Sequence, residues 1–256
     1  MASYQKLLFE LDRGVARITL NRPEKRNALD PELISEVHDA LETTARDESI
    51  RVVLLQGAGA DFCSGMDLST LEQSMQADVL ANRAGAQALA ALFLSMRRHP
   101  RPIIAAVHGR ALAGGCGLAT AADIILAAHS AQFGYTEVNI GFVPAIVMAM
   151  LRRSLPEKRA FELITAGEII SAQVALDIEL VNHVFADQTF SSDVDAFITK
   201  LASKSASAVM LSKQLLYHID ALGFEAGIEA GVEINTIARS TDDCKRGVGR
   251  FLKKTR

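Results

Sequence analysis

The sequence has 256 residues, of which 49% are hydrophobic and 22% charged, a composition typical of a globular protein long enough to bury a sizeable core. Its formal net charge of -3 leaves no broad basic surface, which argues against nucleic acid as the main partner. Its three cysteines, Cys63, Cys116 and Cys244, form no CxxC pair, so we predict neither a disulfide framework nor a metal site, and we expect a reducing compartment.

The first predicted element is a β-hairpin. Residues 15–20, VARITL, alternate in the two-residue period of a half-buried strand, and KLLFELD before them supplies the partner strand. The chain enters this alternation directly, without a long apolar stretch. We therefore expect no signal peptide, no membrane association and a cytoplasmic location.

Helices and buried strands then alternate through the first half. Asp30 before Pro31 predicts a helix N-terminus, and apolar side chains follow at helical spacing. The apolar runs RVVLLQG, RPIIAAVHG and DIILAA predict strands of a buried parallel sheet. Residues from about 68 to 98 predict a helix with one or more breaks.

The C-terminal part is predicted to be helical. One strand-like patch, LVNHVF, interrupts it, and the helical periods lie near 144–165, 171–177, 189–203, 206–221, 223–238 and 242–253. No flexible linker or strict repeat divides the chain. An α/β core over residues 1–195 with a helical extension over 196–256 is the simplest interpretation.

Two glycine-bearing turns follow predicted strands. In ALAGGCGLATAADIILAA, residues 111–128, Gly114, Gly115 and Gly117 surround Cys116 at a helix start. Such a turn can bind an anion through its free N–H groups, or it can serve close packing of a helix on a strand. A similar turn at 64–66 lies after another strand. Backbone N–H groups from two turns can converge on one oxygen, as an oxyanion hole requires.

Other motif interpretations of these turns are weaker. Gly57 and Gly59 resemble a dinucleotide fingerprint, but Phe62 occupies the position of its third glycine. The sequence has no Walker GxxxxGK[ST] motif and no GxSxG elbow. His108 has no paired nucleophile in the sequence pattern, and we interpret it as structural.

Five segments together resemble the enoyl-CoA hydratase/isomerase (crotonase) superfamily. They occur in the family's order and are LNRPEKRNAL at 20–29, DFCSGMDL at 61–68, HGRALAGGCGLA at 108–119, AQFGYTEVNIGFVP at 131–144 and LITAGEIISAQVA at 163–175. The resemblance implies an α/β crotonase-like (ClpP/crotonase) fold of repeated ββα units. It also implies that the helical region 196–256 assembles a homotrimer or a dimer of trimers.

The resemblance implies an acyl-CoA thioester as substrate and no separate cofactor or metal. The backbone N–H groups of Met66 and Gly114 would hold the thioester oxygen, with bare backbone at 114–117 allowing the substrate to approach. Glu137, in YTEVNIG, would be the general acid/base.

The resemblance also places the CoA contacts. Lys25, Arg26 and Ala28 match the segment that meets CoA, and the two basic side chains suit its phosphates. Asp67 and Leu68 would line the pantetheine path. Phe251 and Lys254, in FLKKTR, match the tail that touches CoA, in the same or a neighbouring subunit.

The sequence departs from the family pattern at four positions. Gly117 stands where typical hydratases carry a second glutamate, and Ala145 stands where they carry a glycine whose N–H helps hold water. Ala145 keeps an N–H, so hydration stays open. Glu179 and Arg246 are departures with no expected role in the chemistry. We interpret Cys63 and Cys116 as packing residues, since no base adjoins either thiol.

The activity predicted is hydration of a 2-enoyl-CoA through an oxyanion-stabilised enolate. One alternative is a Δ3,Δ2-enoyl-CoA isomerase that uses Glu137 alone, and another is a methylglutaconyl-CoA hydratase, because GGCGLAT and FGYTEVNIGFVPAIV resemble that subgroup. A non-catalytic acyl-CoA binder is less favoured, because both turns and Glu137 are intact.

Overall fold

The chain is organised around two β-sheets of unequal size. The computed structural model describes residues 4–254, except for the side chain of Lys254. The strands, in chain order, are β1 Leu7–Asp12, β2 Val15–Leu20, β3 Val52–Gly57, β4 Ile103–Val107, β5 Arg110–Leu112, β6 Ile124–Ala128, β7 Gln132–Gly134, β8 Ile170–Ser171 and β9 His183–Phe185. The larger sheet has the order β1-β2-β3-β4-β6-β9, and the smaller one has the order β5-β7-β8.

Helices join the strands and make up most of the C-terminal part. They are α1 Pro31–Arg46, α2 Leu68–Gln76, α3 Val79–Arg98, α4 Gly114–Thr120, α5 Ala145–Ser154, α6 Glu157–Ala166, α7 Ala172–Asp177, α8 Phe190–Ala202, α9 Ala206–His218, α10 Phe224–Ser240 and α11 Asp242–Lys254. Short 3₁₀ helices span Pro23–Lys25, Glu137–Ile140 and Ile219–Ala221. This α/β architecture agrees with the fold expected from the sequence.

The central strands are buried on both faces. β3 and β4 pair in parallel, with Leu54 opposite Ile104, and both side chains are fully buried. On that face they pack with Val194 and Ile198 of α8. On the opposite face α1 and α3 contribute to the main core. This two-sided cover explains the continuous apolar runs of these strands.

The N-terminal predictions are confirmed. β1 and β2 pair antiparallel, and the turn between them places Arg13 and Gly14 at positive φ values of 47° and 81°. At the start of α1, the Asp30 side chain accepts a 2.8 Å hydrogen bond from the N–H of Leu33, and Pro31 is the first helical residue.

Two predicted helical stretches are divided in the structure. The stretch 68–98 is broken between α2 and α3, where Asp78 caps α3 by accepting the N–H of Ala81 at 2.8 Å. The stretch 144–165 becomes α5 and α6, with Leu155 and Pro156 between them. Proline cannot continue a preceding helix, which accounts for the second break.

The smaller sheet has no counterpart in the sequence predictions. Its strands contain two or three residues each, too few for a two-residue period to be recognised. β5 also forms a bridge between Ala111 and Cys63. This bridge fastens the small sheet to the turn that follows β3.

Helix α3 has the length and hydropathy of a membrane-spanning helix, alone among the helices of the described part of the chain. Its C-terminal half buries Leu89, Leu92, Phe93 and Met96 in the core that α1 shares. The apolar character of that half is therefore explained by packing within the protein.

The C-terminal helices are anchored by one buried polar cluster. Lys213 of α9 donates to Oδ2 of Asp123 at 2.7 Å and to two backbone carbonyls, and the Tyr217 hydroxyl donates to Oδ1 of the same aspartate. In contrast, α10 has no buried residue and exposes Phe224, Ile228 and Val232 on one face.

Candidate active site

The first turn of the candidate site is held open by Leu29. The Leu29 N–H donates to the Gly65 carbonyl at 2.7 Å, and its own carbonyl accepts the Asp67 N–H at 2.8 Å. Gly65 and Asp67, on either side of Met66, both bond to Leu29. In this bridge pattern the N–H of Met66 itself points away from Leu29. Among residues 4–254 that N–H finds no acceptor.

The second turn begins α4. Ala113 adopts φ 48° and ψ −125°, and its N–H donates to the Gly134 carbonyl at 2.7 Å. Gly114 follows as the first helical residue, whose N–H has no partner within the helix. A methyl group added at Gly114 would lie 3.9 Å from the Met66 nitrogen. The structure thus brings the two predicted oxyanion donors side by side.

The glycines of this run have different functions. At Gly114 an added methyl group meets nothing closer than 3.7 Å, so this backbone is open. At Gly115 it would lie 2.2 Å from the Cys63 carbonyl oxygen, and at Gly117 it would lie 2.1 Å from Cγ1 of Val147. The bare backbone expected over 114–117 for substrate approach is therefore limited to its first residue. The other two glycines serve close packing.

Val147 fills the space beside Gly117. It lies on α5 and is 3% exposed. The position where the family pattern places a second glutamate consequently has no room for a longer side chain unless Val147 moves. Nothing in the sequence pattern pointed to Val147, because the fit depends on how α5 packs on α4.

Glu137 is a buried carboxylate with an unpaired oxygen. It opens the 3₁₀ helix that ends at Ile140, is 9% exposed, and its Oε2 has no hydrogen-bond partner within residues 4–254. Burial raises the pKa of Glu137, while a hydrogen bond with its own backbone opposes that rise. An unpaired carboxylate with a raised pKa suits proton transfer near neutral pH.

The Ala145 N–H is engaged within the protein. It donates to the Val143 carbonyl at 2.8 Å. The expectation that this N–H stays open for a water molecule therefore does not match the geometry. Neither position 117 nor the Ala145 N–H therefore offers a free polar partner for a water molecule, and the acid/base role of Glu137 stays a prediction.

The predicted CoA segment lies beside the first turn. Lys25 and Arg26 are exposed, at the end of the 3₁₀ helix Pro23–Lys25, and the Arg26 carbonyl accepts the Ser64 N–H at 3.0 Å. Ala28 is buried. Two basic side chains thus remain free to meet phosphates close to the candidate oxyanion donors.

Asp67 and Leu68, both predicted to line the pantetheine path, differ in solvent exposure. Leu68 is 78% exposed, as a ligand contact requires, whereas Asp67 is 5% exposed. Hydrogen bonds from Ser69, and from Arg22 at 2.9 Å, lower the pKa of Asp67 to about 2. Asp67 also caps α2, so its carboxylate is occupied within the protein.

Arg22 is a site residue that the sequence predictions missed. One guanidinium nitrogen pairs with Asp67, and the other lies 3.2 Å from Asp30 and 2.5 Å from the Ala28 carbonyl. It thereby joins the CoA segment, α1 and the first turn. Its place as the second residue of the NRPEK motif was the available signal.

The remaining predicted positions lie elsewhere. Phe251 is 70% exposed on α11, and the predicted contact of Lys254 lies outside the described side chains. Cys63 and Cys116 are fully buried, and burial raises the pKa of each thiol to about 12, which agrees with packing functions. No group of three potential metal ligands converges among residues 4–254.

Comparisons with known proteins identify the family of the chain. The family model "Enoyl-CoA hydratase/isomerase" matches residues 10–256. A Thermus thermophilus protein with an enoyl-CoA hydratase name is 35% identical, over 96% of this chain and 98% of its own length. The 2,3-dehydroadipyl-CoA hydratase of Escherichia coli is 32% identical, over 97% of this chain and 96% of its own length.

The solved structures agree as well. An enoyl-CoA hydratase of Mycobacterium smegmatis superposes with a TM-score of 0.93 at 32% identity, over 98% of this chain and 97% of its own. These matches support the crotonase fold with two sheets and C-terminal helices. They do not single out the methylglutaconyl-CoA subgroup, which stays a prediction.

Proposed function

Because the chain belongs to the enoyl-CoA hydratase/isomerase family, we propose that it is an enoyl-CoA hydratase that adds water across the double bond of a 2-enoyl-CoA. The observation that carries the proposal is the closeness of the Met66 nitrogen to Gly114, 3.9 Å from a methyl group built there, together with a buried Glu137 whose Oε2 has no hydrogen-bond partner among residues 4–254.

The two N–H groups bind the thioester oxygen. When a nucleophile attacks C3, the electron pair of the C2–C3 double bond moves toward that oxygen and forms an enolate. Donors already in place stabilise this charge without reorganisation, and loss of one such donor typically costs about 2.7–4 kcal/mol. Met66 and Gly114 therefore supply the main stabilisation of the transition state.

Glu137 moves the protons. Its carboxylate takes one proton from water as the water oxygen bonds to C3, and it then delivers that proton to C2 of the enolate. The second proton of the water stays on the new hydroxyl group, so the reaction balances. A single carboxylate completes the cycle, and a positioned acid/base of this kind contributes about 10²–10⁴-fold to the rate.

Isomerisation of a 3-enoyl-CoA is the second candidate, and the Val147 side chain against Gly117 favours it. This contact leaves no space for a second acid/base at position 117. In isomerisation Glu137 takes a proton from C2 and returns it to C4, while the oxyanion donors hold the dienolate. One carboxylate is sufficient for that sequence.

The test follows ultraviolet absorbance and product mass with short 2-enoyl-CoA and 3-enoyl-CoA substrates. Hydration abolishes the absorbance of the conjugated thioester and adds the mass of one water molecule. Isomerisation of the 3-enoyl substrate creates that absorbance without a mass change. Glu137→Gln should reduce either activity about 10²–10⁴-fold, whereas Glu162→Gln, on the exposed face of α6, should leave it unchanged. Silence toward both substrates would contradict the proposal.

The exposed face of α10 supports assembly into a homotrimer or a dimer of trimers through residues 196–256. Phe224, Ile228 and Val232 are 80%, 58% and 59% exposed, and recur every four residues along one helix face. An unpartnered apolar stripe of this kind is typical of a subunit interface. Sedimentation velocity of the protein and of Val232→Asp tests the assembly, because a monomer in both samples would exclude it.

A further inference from the structure

A buried hydroxyl pair ties the segment that carries Glu137 to the helix that begins with Gly114. Tyr135 lies directly after β7, two residues before Glu137, and is fully buried. Its hydroxyl lies 2.7 Å from Oγ1 of Thr120, the last residue of α4. Thr120 donates its only hydroxyl proton to the Cys116 carbonyl at 2.9 Å, so Tyr135 is the donor within the pair.

A backbone bond makes a second link at the other end of α4. The Ala113 N–H, immediately before the helix, donates to the Gly134 carbonyl at 2.7 Å. Consecutive residues, Gly134 and Tyr135, are thus bonded to opposite ends of one short helix. Two links fix the direction of the chain leaving β7 as well as its distance from α4.

The Glu137 carboxylate has little anchoring of its own. Its Oε2 is unpaired within the described residues, and no neighbouring charge contributes to its pKa shift. The location of the carboxylate therefore depends on the backbone over 135–137. Burial raises the pKa of Tyr135 well above its ordinary range, so this hydroxyl keeps its proton over the working pH range.

We propose that Tyr135 is a positioning residue, whose hydrogen bond to Thr120 sets the separation between the Glu137 carboxylate and the Gly114 amide. The inference rests on the proposed function, in which these two groups act on one acyl thioester. Misplacement of a reacting group by about 1 Å can cost on the order of 10²-fold in rate. A hydroxyl that touches no substrate can thus govern turnover.

The experiment compares Tyr135→Phe with Tyr217→Phe. Both variants lose one hydroxyl that is hydrogen-bonded within the protein, and Tyr217 lies in the Asp123 cluster that anchors α9. For Tyr135→Phe we expect kcat to fall about tenfold to 10²-fold, with KM changed by less than about threefold. Tyr217→Phe should keep the wild-type kcat even where its melting temperature falls.

Thr120 supplies an independent variant of the same bond. Thr120→Val should reproduce the loss in kcat. The double variant Tyr135→Phe/Thr120→Val should lose no more kcat than either single variant, because both remove the same hydrogen bond. Thr120→Ser keeps the hydroxyl and should therefore keep the wild-type turnover. A crystal structure of Tyr135→Phe should show the Glu137 carboxylate displaced from the Gly114 nitrogen. This measurement needs no activity, and it also serves where Tyr135→Phe turns over too slowly to measure.

Two results would overturn the inference. One is an unchanged kcat in Tyr135→Phe, and the other is an unchanged separation of Glu137 from Gly114 in its crystal structure. Wild-type protein that converts neither enoyl-CoA would instead contradict the proposed function. In that case the crystallographic distance alone decides whether Tyr135 positions Glu137.

Discussion

The paired turns and the Glu137 segment leave opposite kinds of polar group unpaired. Within the described residues 4–254, the N–H groups of Met66 and Gly114 have no acceptor, whereas one carboxylate oxygen of Glu137 has no donor. Buried polar groups are usually paired, so the unpaired Oε2 of the buried Glu137 is an exception that calls for an explanation. Together the two donors and this oxygen are complementary to a ligand that brings an acceptor and a proton, which a thioester with an adjacent water molecule does.

The largest effect should come from removing the unpaired acceptor. Glu137→Gln keeps the shape of the side chain but cannot accept a proton, so we expect kcat to fall about 10²–10⁴-fold. Because the turns are unchanged, binding of a saturated acyl-CoA should stay within about threefold of wild type, as measured by calorimetry. Loss of binding together with turnover would show that the two regions are not separable.

The next effect concerns the close packing of Gly115, which follows Gly114, against Cys63. Gly115→Ala places a methyl group 2.2 Å from the Cys63 carbonyl oxygen, which the backbone must relieve by moving. Overpacking of this kind typically costs about 1–3 kcal/mol, and we expect that loss of unfolding free energy in urea. Gly85→Ala, in α3, where nothing lies within 4 Å, is the matched control and should be neutral or stabilising. Equal losses in both variants would contradict the packing argument.

A smaller effect tests the packing of α5 against α4 at Gly117. Gly117→Ala brings a methyl group 2.1 Å from Cγ1 of Val147, and Val147→Ala removes that atom. Residues in direct contact show coupling energies of about 0.5–3 kcal/mol, so the double variant should be more stable than the sum of the single losses predicts. Additive losses in chemical denaturation would show that the two positions are independent.

The smallest effect is a shift in pH dependence. Burial raises the pKa of Glu137, so the acid limb of kcat/KM should lie above the ordinary glutamate range. The unfolded chain loses this proton at lower pH than the folded chain, so the stability contributed by protonated Glu137 declines as pH rises through the folded pKa. Glu137→Gln should abolish that decline relative to Glu162→Gln. An acid limb at or below the ordinary value would contradict the prediction.

The sequence was most informative where one residue type has one local function. Asp30 with Pro31 predicted the start of α1, and the continuous apolar runs predicted β3, β4 and β6 as buried parallel strands. The motifs also pointed to Met66 and Gly114, whose backbones lie close together, while the functional roles of these residues and of Glu137 stay predictions. In each case the signal is local, because a helix cap, a strand period or a turn depends on residues that are adjacent in the sequence.

Features that depend on the approach of distant elements were not predictable. The contact of Val147 with Gly117 and the bond from Tyr135 to Thr120 follow from how α5 and β7 lie against α4. The several contacts of Arg22 likewise join separate segments. Short strands such as β5 and β8 carry too few residues for any periodicity. The glycine run shows the same limit, since glycine leaves the backbone open at position 114 and allows close packing at positions 115 and 117.

The contact between Gly117 and Val147 also restricts the order in which substitutions can accumulate in descendants of this sequence. Gly117→Glu alone would force a carboxylate into volume that the valine occupies, so a lineage taking that step first would lose stability before it could gain a second acid/base. In the reverse order, a smaller residue at position 147 first leaves a cavity beside Gly117, at a cost in stability, into which a longer side chain can later extend. The Val147 side chain therefore determines which of the two substitutions has to come first.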